Sequence, residues 1–353
     1  MGIHHLNKIL RKYSPTSFRE VPLTHYAYKK IAIDVSLYMF KYKTIFGEDR
    51  WITAFISLIC CLRRNEIHCI FIFDSKAPQE KEQEQKDRRE QRQKIKDKAD
   101  QLDIDYKKYK SDGTISELMK EVCEKKKKQE NRLLLKTSTF DEKIIKETIA
   151  KLKLQTISIG KKDFQIAKQL FDILDVPYHQ AITEAEATCA YLARENIVHG
   201  AMSEDTDVLA YGSPKFLTKV NITNENCIEI DLNQVLLDLN INYEQFRDMC
   251  IMCGNDYNKN IRGVGPQKSY ELIKEHGSIE NIEKNTNYDT SVLKYKRSRE
   301  LFTFTDNYFT KPIYCCGTPD YDRLGSFLFE NNCRMDLSYV KHCYEPKELE
   351  FVD

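Results

Sequence analysis

Three short apolar segments, each leading directly into acidic residues, constrain the fold of this chain more than any other feature of its sequence. Residues 30–34 and 69–74 are rich in isoleucine and phenylalanine and end on aspartate, and residues 198–202 lead into the acidic segment 203–207. Continuously apolar strands that alternate with helical patterns are typical of a parallel sheet covered on both faces. The sequence therefore predicts an α/β fold with a central, mixed-edge parallel sheet flanked by helices.

Seven acidic residues follow these strands or lie in later loops. Ligands of parallel sheets collect beyond the carboxyl ends of the strands, so these side chains are expected to converge there. Two pairs have i, i+2 spacing, which points both carboxylates the same way at a strand end. Converging carboxylates repel each other unless divalent cations neutralise them, and Mg²⁺ prefers carboxylate and water oxygens. The candidate metal ligands are Asp34, Asp74, Glu184, Glu186, Asp205, Asp207 and Asp256.

Parts of this set also have purely structural interpretations. Residues 183–186 fit a capping box with Thr183 at the N-cap and Glu186 three positions later, in which case Glu186 serves only the helix. Residues 203–207 alone could form a polar loop between a strand and a helix. Only the whole set, at successive strand ends, favours a metal site.

The segment 76–140 differs from the rest of the chain because it is crowded with Lys, Arg, Glu and Gln. Glu82 and Lys86, like Glu84 and Arg88, have the i, i+4 spacing of ion pairs on one helix. Composition alone favours a solvated helix followed by a partly disordered insertion. The alternative is a basic helical arch that stands over the acidic site.

The composition of the whole chain says more about the cellular location of the protein than about its binding partner. The 55 basic and 54 acidic residues nearly cancel, so the net charge identifies no partner. The longest apolar run, residues 51–62, is too short to span a bilayer and predicts a buried helix. Twelve cysteines without a secretory signal indicate reduced thiols inside the cell. Cys250 and Cys253 have zinc-like spacing, but their apolar helical surroundings predict buried thiols.

Five blocks of the sequence, in order, resemble the motifs of the XPG/flap endonuclease family. They are residues 1–3 with 31–36, residues 73–78 (FDSKAP), residues 184–187 (EAEA), residues 203–207 (SEDTD), and residues 255–257 with 261–266 (NDY and IRGVGP). Ser75 departs from the glycine usual in the second block. Residues 346–353 lack the motif that docks on a sliding clamp, so the chain is most similar to the compact flap-endonuclease relatives of large DNA viruses.

The resemblance implies a PIN-like 5′ nuclease fold in which the seven acids hold two Mg²⁺ ions, with Mn²⁺ as a substitute. It implies that Lys81 and Arg88 are basic arch residues that meet the scissile phosphate. It also implies that Gly2, after removal of Met1, lies near the substrate junction.

The glycine-containing block 263–266 has a physical interpretation of its own. Gly263 and Gly265 let the backbone approach a ligand closely, and the amides that open the next helix can bind a phosphate. A tight helix-to-helix turn is the alternative. The family resemblance implies a helix–two-turn–helix around residues 248–276 that binds duplex DNA about a monovalent cation. Lys268 and Lys274 then suit phosphate contact, although either could be an ordinary surface lysine.

Together these features predict four regions: an N-terminal nuclease region (1–98), the basic arch (76–140), an internal nuclease region (141–300) and a C-terminal segment packed on the core (301–353). The expected function is that of a structure-specific DNA endonuclease of the 5′-flap type, with or without 5′–3′ exonuclease activity, in replication, repair or recombination. Alternatives are a Holliday-junction or 5′-exonuclease member of the same superfamily, a PIN-type ribonuclease, and a non-catalytic junction-binding protein. The expected partner is branched or flapped DNA, bound by a monomer in the nucleus or at a viral replication site.

Overall fold

The computed structural model describes residues 2–48, 50–129, 140–305 and 314–345. The chain divides into two compact units. The first comprises Met1–Lys81 and Ile159–Asp353, and the second comprises Glu82–Ser158. The C-terminal residues 346–353, on which the expectation about a sliding clamp rests, lie outside the described residues.

The first unit is built on a sheet of seven strands in the described part of the chain: β1 (Phe18–Pro22), β2 (Lys30–Asp34), β3 (His68–Phe73), β4 (Tyr178–Gln180), β5 (Gly200–Met202), β6 (Lys215–Asn221) and β7 (Asn226–Asp231). Their order across the sheet is β1–β7–β6–β5–β2–β3–β4. The pairs β2–β3, β2–β5, β3–β4 and β5–β6 are parallel. Strand β7 is antiparallel to β1 and β6. The prediction of a parallel centre with a mixed edge is confirmed.

The α-helices follow in chain order: α1 (Leu6–Tyr13), α2 (Val35–Phe46), α3 (Trp51–Arg64), α4 (Glu82–Asp112), α5 (Glu117–Gln129), α6 (Glu142–Gln155), α7 (Lys161–Ile173), α8 (Ala185–Arg194), α9 (Asp207–Ala210), α10 (Leu232–Leu239), α11 (Tyr243–Cys253), α12 (Pro266–His276), α13 (Ile279–Asn285), α14 (Tyr295–Phe302), α15 (Tyr321–Glu330) and α16 (Leu337–Tyr344). The apolar run 51–62 lies in α3 and is almost wholly buried, as predicted. No helix among the residues that the structure describes is long and apolar enough to cross a membrane.

Successive residues of the central strands enter separate hydrophobic clusters because side chains of a strand alternate between its two faces. Ile31 and Ile33 join one cluster and Ala32 joins the other. Strand β3 behaves likewise, and Phe71 stacks on Phe171 of α7 with ring centroids 4.4 Å apart. Both faces of the parallel sheet are therefore buried, which explains why its strands are continuously apolar.

The second unit consists of α4, α5 and α6 and has a small apolar core of its own. Only Ala99 and Leu102 are buried along the 31 residues of α4. The buried members of the core are Leu102, Met119, Val122, Cys123, Ile144, Ile145 and Ile149. The first part of α4 is thus the solvated helix expected from its composition, whereas the described residues beyond it pack into a helical unit.

Candidate metal centre

The first group of acids lies at the carboxyl edge of three neighbouring parallel strands. Asp34 ends β2, and Asp74 directly follows β3. Asp205 and Asp207 follow β5, which pairs with β2 on the other side. Asp34 also caps α2, since its carboxylate accepts a hydrogen bond from the Leu37 amide at 3.3 Å. Parallel pairing therefore brings together acids that are far apart in the chain.

Glu184 and Glu186 reach the same edge from the start of α8. The capping-box interpretation of residues 183–186 is wrong, because Glu184, not Thr183, occupies the N-cap and makes no capping hydrogen bond through its side chain. Asp74 accepts a hydrogen bond from the Ala185 amide at 2.8 Å instead. A strand-end carboxylate therefore binds the first turn of α8, and Glu186 points into the acidic site.

Glu186, Asp205 and Asp207 form the tightest group of carboxylates in the site. One oxygen atom from each lies within 4.8 Å of the others, and all three residues are buried. Asp207 Oδ1 accepts a hydrogen bond from the Ile3 amide at 2.7 Å. No residue in the described part of the chain donates a hydrogen bond to the buried Asp207 Oδ2. An unpaired buried acceptor is costly, and a hard divalent cation fits these oxygen donors.

The pKa values of these acids show how strongly the site disfavours negative charge. Burial raises the pKa of Asp34, and the neighbouring Asp74 raises it further. Burial also raises the pKa of Asp207, with Asp205 adding to the effect. The pKa of Glu186 is raised by burial although Lys81 opposes the rise. A bound cation would offset the cost of negative charge at these positions.

Lys81 brings a positive charge into the cluster. Its ammonium group pairs with Glu184, lies 3.2 Å from Asp256 and 3.8 Å from Glu186, and its side chain is 9% exposed. Burial alone would lower the pKa of Lys81, but Glu186, Glu184 and Asp256 together raise it above its ordinary value. Lys81 therefore keeps its charge. Electrostatic interactions also connect the acids: Asp34 interacts with Asp74 and Asp205, and Asp207 interacts with Asp205, Asp256 and Glu184.

Gly2 and Ile3 pack directly against the acids. Gly2 has a φ of 83°, and a Cβ atom there would lie 1.7 Å from Asp205 Oδ1 and 2.8 Å from Asp207 Oδ1. Only glycine fits this close approach with a left-handed backbone. The expected DNA-binding residue Gly2 is thus in contact with the acids, and the next amide, that of Ile3, orients Asp207.

Arg88 and the glycine block have surroundings of their own. Arg88 belongs to α4 in the second unit, where it pairs with Glu84 one turn earlier. Gly263 has a φ of 76°, and an added Cβ at Gly263 or Gly265 would meet no atom of the described residues within 4 Å. Gly265 is the N-cap of α12, and its exposed backbone suits a phosphate.

The two lysines of α12 are exposed beside this turn. The ammonium group of Lys268 lies 4.8 Å from the centre of the Tyr288 ring. Lys274 donates a hydrogen bond to the Tyr270 hydroxyl at 2.9 Å. Both remain accessible to a ligand, as a phosphate contact requires.

Sequence reasoning assigned no role to Tyr257. Its hydroxyl donates to Glu184 and also contacts the Tyr211 hydroxyl, while its ring lies 5.4 Å from the ammonium group of Lys81. Its position directly after the candidate ligand Asp256 is a sequence signal from which a role at the site can be predicted. The role of the Ile3 amide has no such signal, because every residue except proline has a backbone N–H donor.

Comparison with known proteins places the chain among nucleases. Residues 1–95 match the XPG N-terminal domain and residues 175–256 match the XPG I-region. A probable RAD2-like endonuclease (076L) of Invertebrate iridescent virus 3 is 34% identical over 86% of this chain and 85% of its own length. A second one (369L), of Invertebrate iridescent virus 6, is 31% identical over 98% and 92%. Flap endonuclease 1 of Candida tropicalis is 31% identical over 86% and 76%.

Solved structures resemble the chain in fold. The catalytic core of Rad2 in complex with DNA substrate gives a TM-score of 0.58 at 20% identity, covering 94% of this chain and 95% of that one. Flap endonuclease-1 from Methanococcus jannaschii gives 0.59 at 23% identity, covering 93% and 96%. These similarities confirm the prediction that this chain has the α/β fold of the 5′ nuclease cores.

We predict that Glu186→Gln stabilises the metal-free protein. In EDTA at pH 8, above the ordinary pKa of glutamate, the wild type holds a buried carboxylate whose raised pKa makes its charge costly, and glutamine removes that charge. The melting temperature should rise by roughly 2 °C. The stabilisation that Mg²⁺ gives to the wild type should be lost. Glu195→Gln, at the exposed end of α8, is the control, and an unchanged Mg²⁺ effect in Glu186→Gln would contradict the assignment.

Proposed function

The chain belongs to the XPG/flap endonuclease family, and from this membership we propose that it is a Mg²⁺-dependent, structure-specific nuclease that hydrolyses phosphodiester bonds in flapped or branched DNA. The observation that carries the proposal is the buried group of Glu186, Asp205 and Asp207 with its unpaired oxygen. Two bound cations would activate water and stabilise the leaving oxygen of the phosphodiester.

The residues of this chain would divide the remaining work. We assign metal binding to the seven acids, with Ile3 and Tyr257 orienting Asp207 and Glu184 through hydrogen bonds. Lys81 and Arg88 would offset negative charge on the scissile phosphate. A junction-binding protein without catalysis gains nothing from concentrated negative charge near phosphates, so the acids favour a nuclease. Cleavage of labelled flap, nicked, gapped and four-way DNA in Mg²⁺ or EDTA tests the function and its substrate.

The duplex contact is assigned to the turn that opens α12. Gly263 and Gly265 present open backbone, and Lys268 and Lys274 lie on the helix that follows. We propose that this surface binds duplex phosphates without regard to sequence, with a monovalent cation at the turn. It would therefore contribute similarly to plain and flapped substrates.

The second unit offers a separate basic surface, in the segment proposed as the arch. Residues 82–158 contain 21 Lys or Arg and 16 Asp or Glu. A cleft of about 430 Å³ is lined by Lys98, Lys125, Lys126 and Lys151 and by apolar groups of Val122 and Leu152. Lys126 also pairs with Glu147. We propose that this cleft takes the phosphates of a single-stranded 5′ arm. The side chains of Lys127 and Lys128, which complete the basic run, lie outside the described residues.

We predict that Asp205→Ala abolishes cleavage in Mg²⁺ while junction binding stays within about threefold, because the residue holds metal and does not touch DNA. Single-turnover cleavage and binding in Ca²⁺ measure the two effects. Asp74→Ala should behave alike but also melt at a lower temperature, since it removes the hydrogen bond to the Ala185 amide. Normal cleavage by either variant would overturn the metal assignment.

We predict that Arg88→Ala slows single-turnover cleavage at least about tenfold, because it removes a positive charge from the developing phosphate charge. Stability should change little, since the side chain is 36% exposed and an i, i+4 ion pair such as that with Glu84 contributes little. Arg89→Ala, on a different face of the same turn, is the matched control. Equal cleavage rates for the Arg88 and Arg89 variants would favour the alternative interpretation, in which this segment is a solvated helix without a catalytic role.

We predict different salt and substrate effects for the two basic surfaces. Replacing Lys268 and Lys274 by alanine should weaken binding to plain duplex and 5′-flap DNA alike, lowering the slope of log K against log salt by about one for each phosphate that is no longer neutralised. Replacing Lys125 and Lys151 should weaken only the flap complex. Equal losses of affinity on both substrates from the second variant would show a nonspecific basic patch instead of a site for the arm.

A further inference from the structure

The ammonium group of Lys81 lies where three carboxylates of the metal centre converge. It pairs with Glu184 and lies 3.2 Å from Asp256 and 3.8 Å from Glu186. The ring of Tyr257 lies 5.4 Å away and adds a cation–π contact. Lysine is seldom buried this deeply unless it is paired with acids. The carboxylates are therefore already paired with a positive charge that the protein itself supplies.

These carboxylates are also among those assigned to metal ions. The ammonium group of Lys81 contacts Glu184 Oε1, Glu186 Oε1 and Asp256 Oδ2, and carboxylate oxygens are also the ligands that a hard divalent cation prefers. If both were present, two positive charges would lie a few ångströms apart in a buried site, where repulsion is poorly screened. The contacts of Lys81 therefore oppose the binding of metal to Glu184, Glu186 and Asp256.

We propose that Lys81 is the internal counter-ion of the metal-free centre and that divalent cations displace it from Glu184, Glu186 and Asp256 when they bind. The inference rests on the metal-binding role proposed above. It adds that metal affinity is held down by a residue of the chain, and that the positive charge which meets the phosphate is released only when metal is in place.

The local structure allows this movement without unfolding. Lys81 ends the 3-10 turn Gln79–Lys81, and its amide donates to the Pro78 carbonyl at 3.0 Å. The preceding residue, Glu80, accepts a hydrogen bond from Arg297 of α14 at 2.6 Å. The backbone is thus anchored beside the acids, while the four-carbon stem of lysine is flexible. We therefore expect the ammonium group to leave the cluster by rotation of the side chain.

Mg²⁺ binding without DNA tests the competition directly. Titration calorimetry on the full chain should show that Lys81→Met binds Mg²⁺ at least about tenfold more tightly than the wild type, because removal of the resident charge ends the competition. In EDTA the same variant should melt at a lower temperature, since the acids lose their counter-ion. Lys76→Met, which removes an exposed lysine five residues earlier, should match the wild type in both measurements.

Amine labelling of the wild type provides a second test that does not depend on the folding of a variant. The side chain of Lys81 is 9% exposed and should react slowly with an acetylating reagent in EDTA. Saturating Mg²⁺ should raise its labelling several-fold, measured by mass spectrometry of the digested protein, while labelling of Lys76 stays constant. Labelling of Lys81 that is unaffected by Mg²⁺ would contradict the displacement.

The outcomes separate this inference from the proposed function. If Mg²⁺ binds the wild type and Lys81→Met with equal affinity, the centre holds metal but Lys81 does not compete, and only the displacement is overturned. If Mg²⁺ binds neither protein, the metal-binding role and the displacement both fail.

Discussion

Repulsion among buried carboxylates is the interaction on which the functional part of this structure depends. Asp34, Glu186, Asp205 and Asp207 are all buried at one edge of the sheet, where water cannot screen their charges effectively. Burial raises the pKa of each of them. The fold tolerates this arrangement because the hydrophobic clusters on both faces of the sheet hold the strands in place. Burying these charges is therefore costly, and bound cations would relieve that cost, which would favour the cation binding that we propose.

The supports around the acids are as specific as the acids themselves. Asp74 binds the first turn of α8 through the Ala185 amide, and that contact fixes the helix that carries Glu186. Asp207 is held by the Ile3 amide, which requires the N-terminal chain to pass close enough that only glycine fits at position 2. Asp74 and Asp207 are therefore each oriented through Oδ1, which leaves Oδ2 for a ligand.

How far the sequence predicts this structure depends on the range of the interactions involved. Strands β2 and β3 were predictable because burial on both faces demands continuous apolar residues, and their terminal aspartates mark the edge of the sheet. Strand β4 could not be predicted, because its three residues lie at the edge of the sheet, have largely exposed side chains and show no apolar pattern. The cap of α8 was misassigned to Thr183 because the actual partner, Asp74, lies 111 residues away. The sequence likewise indicated that Lys81 is functional but could not show that it lies among the acids, since side-chain direction depends on tertiary packing.

The near-neutral net charge of the chain conceals opposite charge balances in its two compact units. Residues 82–158 carry 21 basic and 16 acidic residues, so the remaining chain carries 34 basic and 38 acidic residues of the 55 and 54 in total. The acidic excess therefore belongs to the unit that contains the metal centre, and the basic excess belongs to the helical unit with its own core. A polyanionic substrate is attracted to basic surfaces such as that of the helical unit, whereas the concentrated charge of the buried acids disfavours it. If the proposed cations bind, they would offset the charge of the acids, so the ions that we propose for the chemistry would also favour the approach of the substrate.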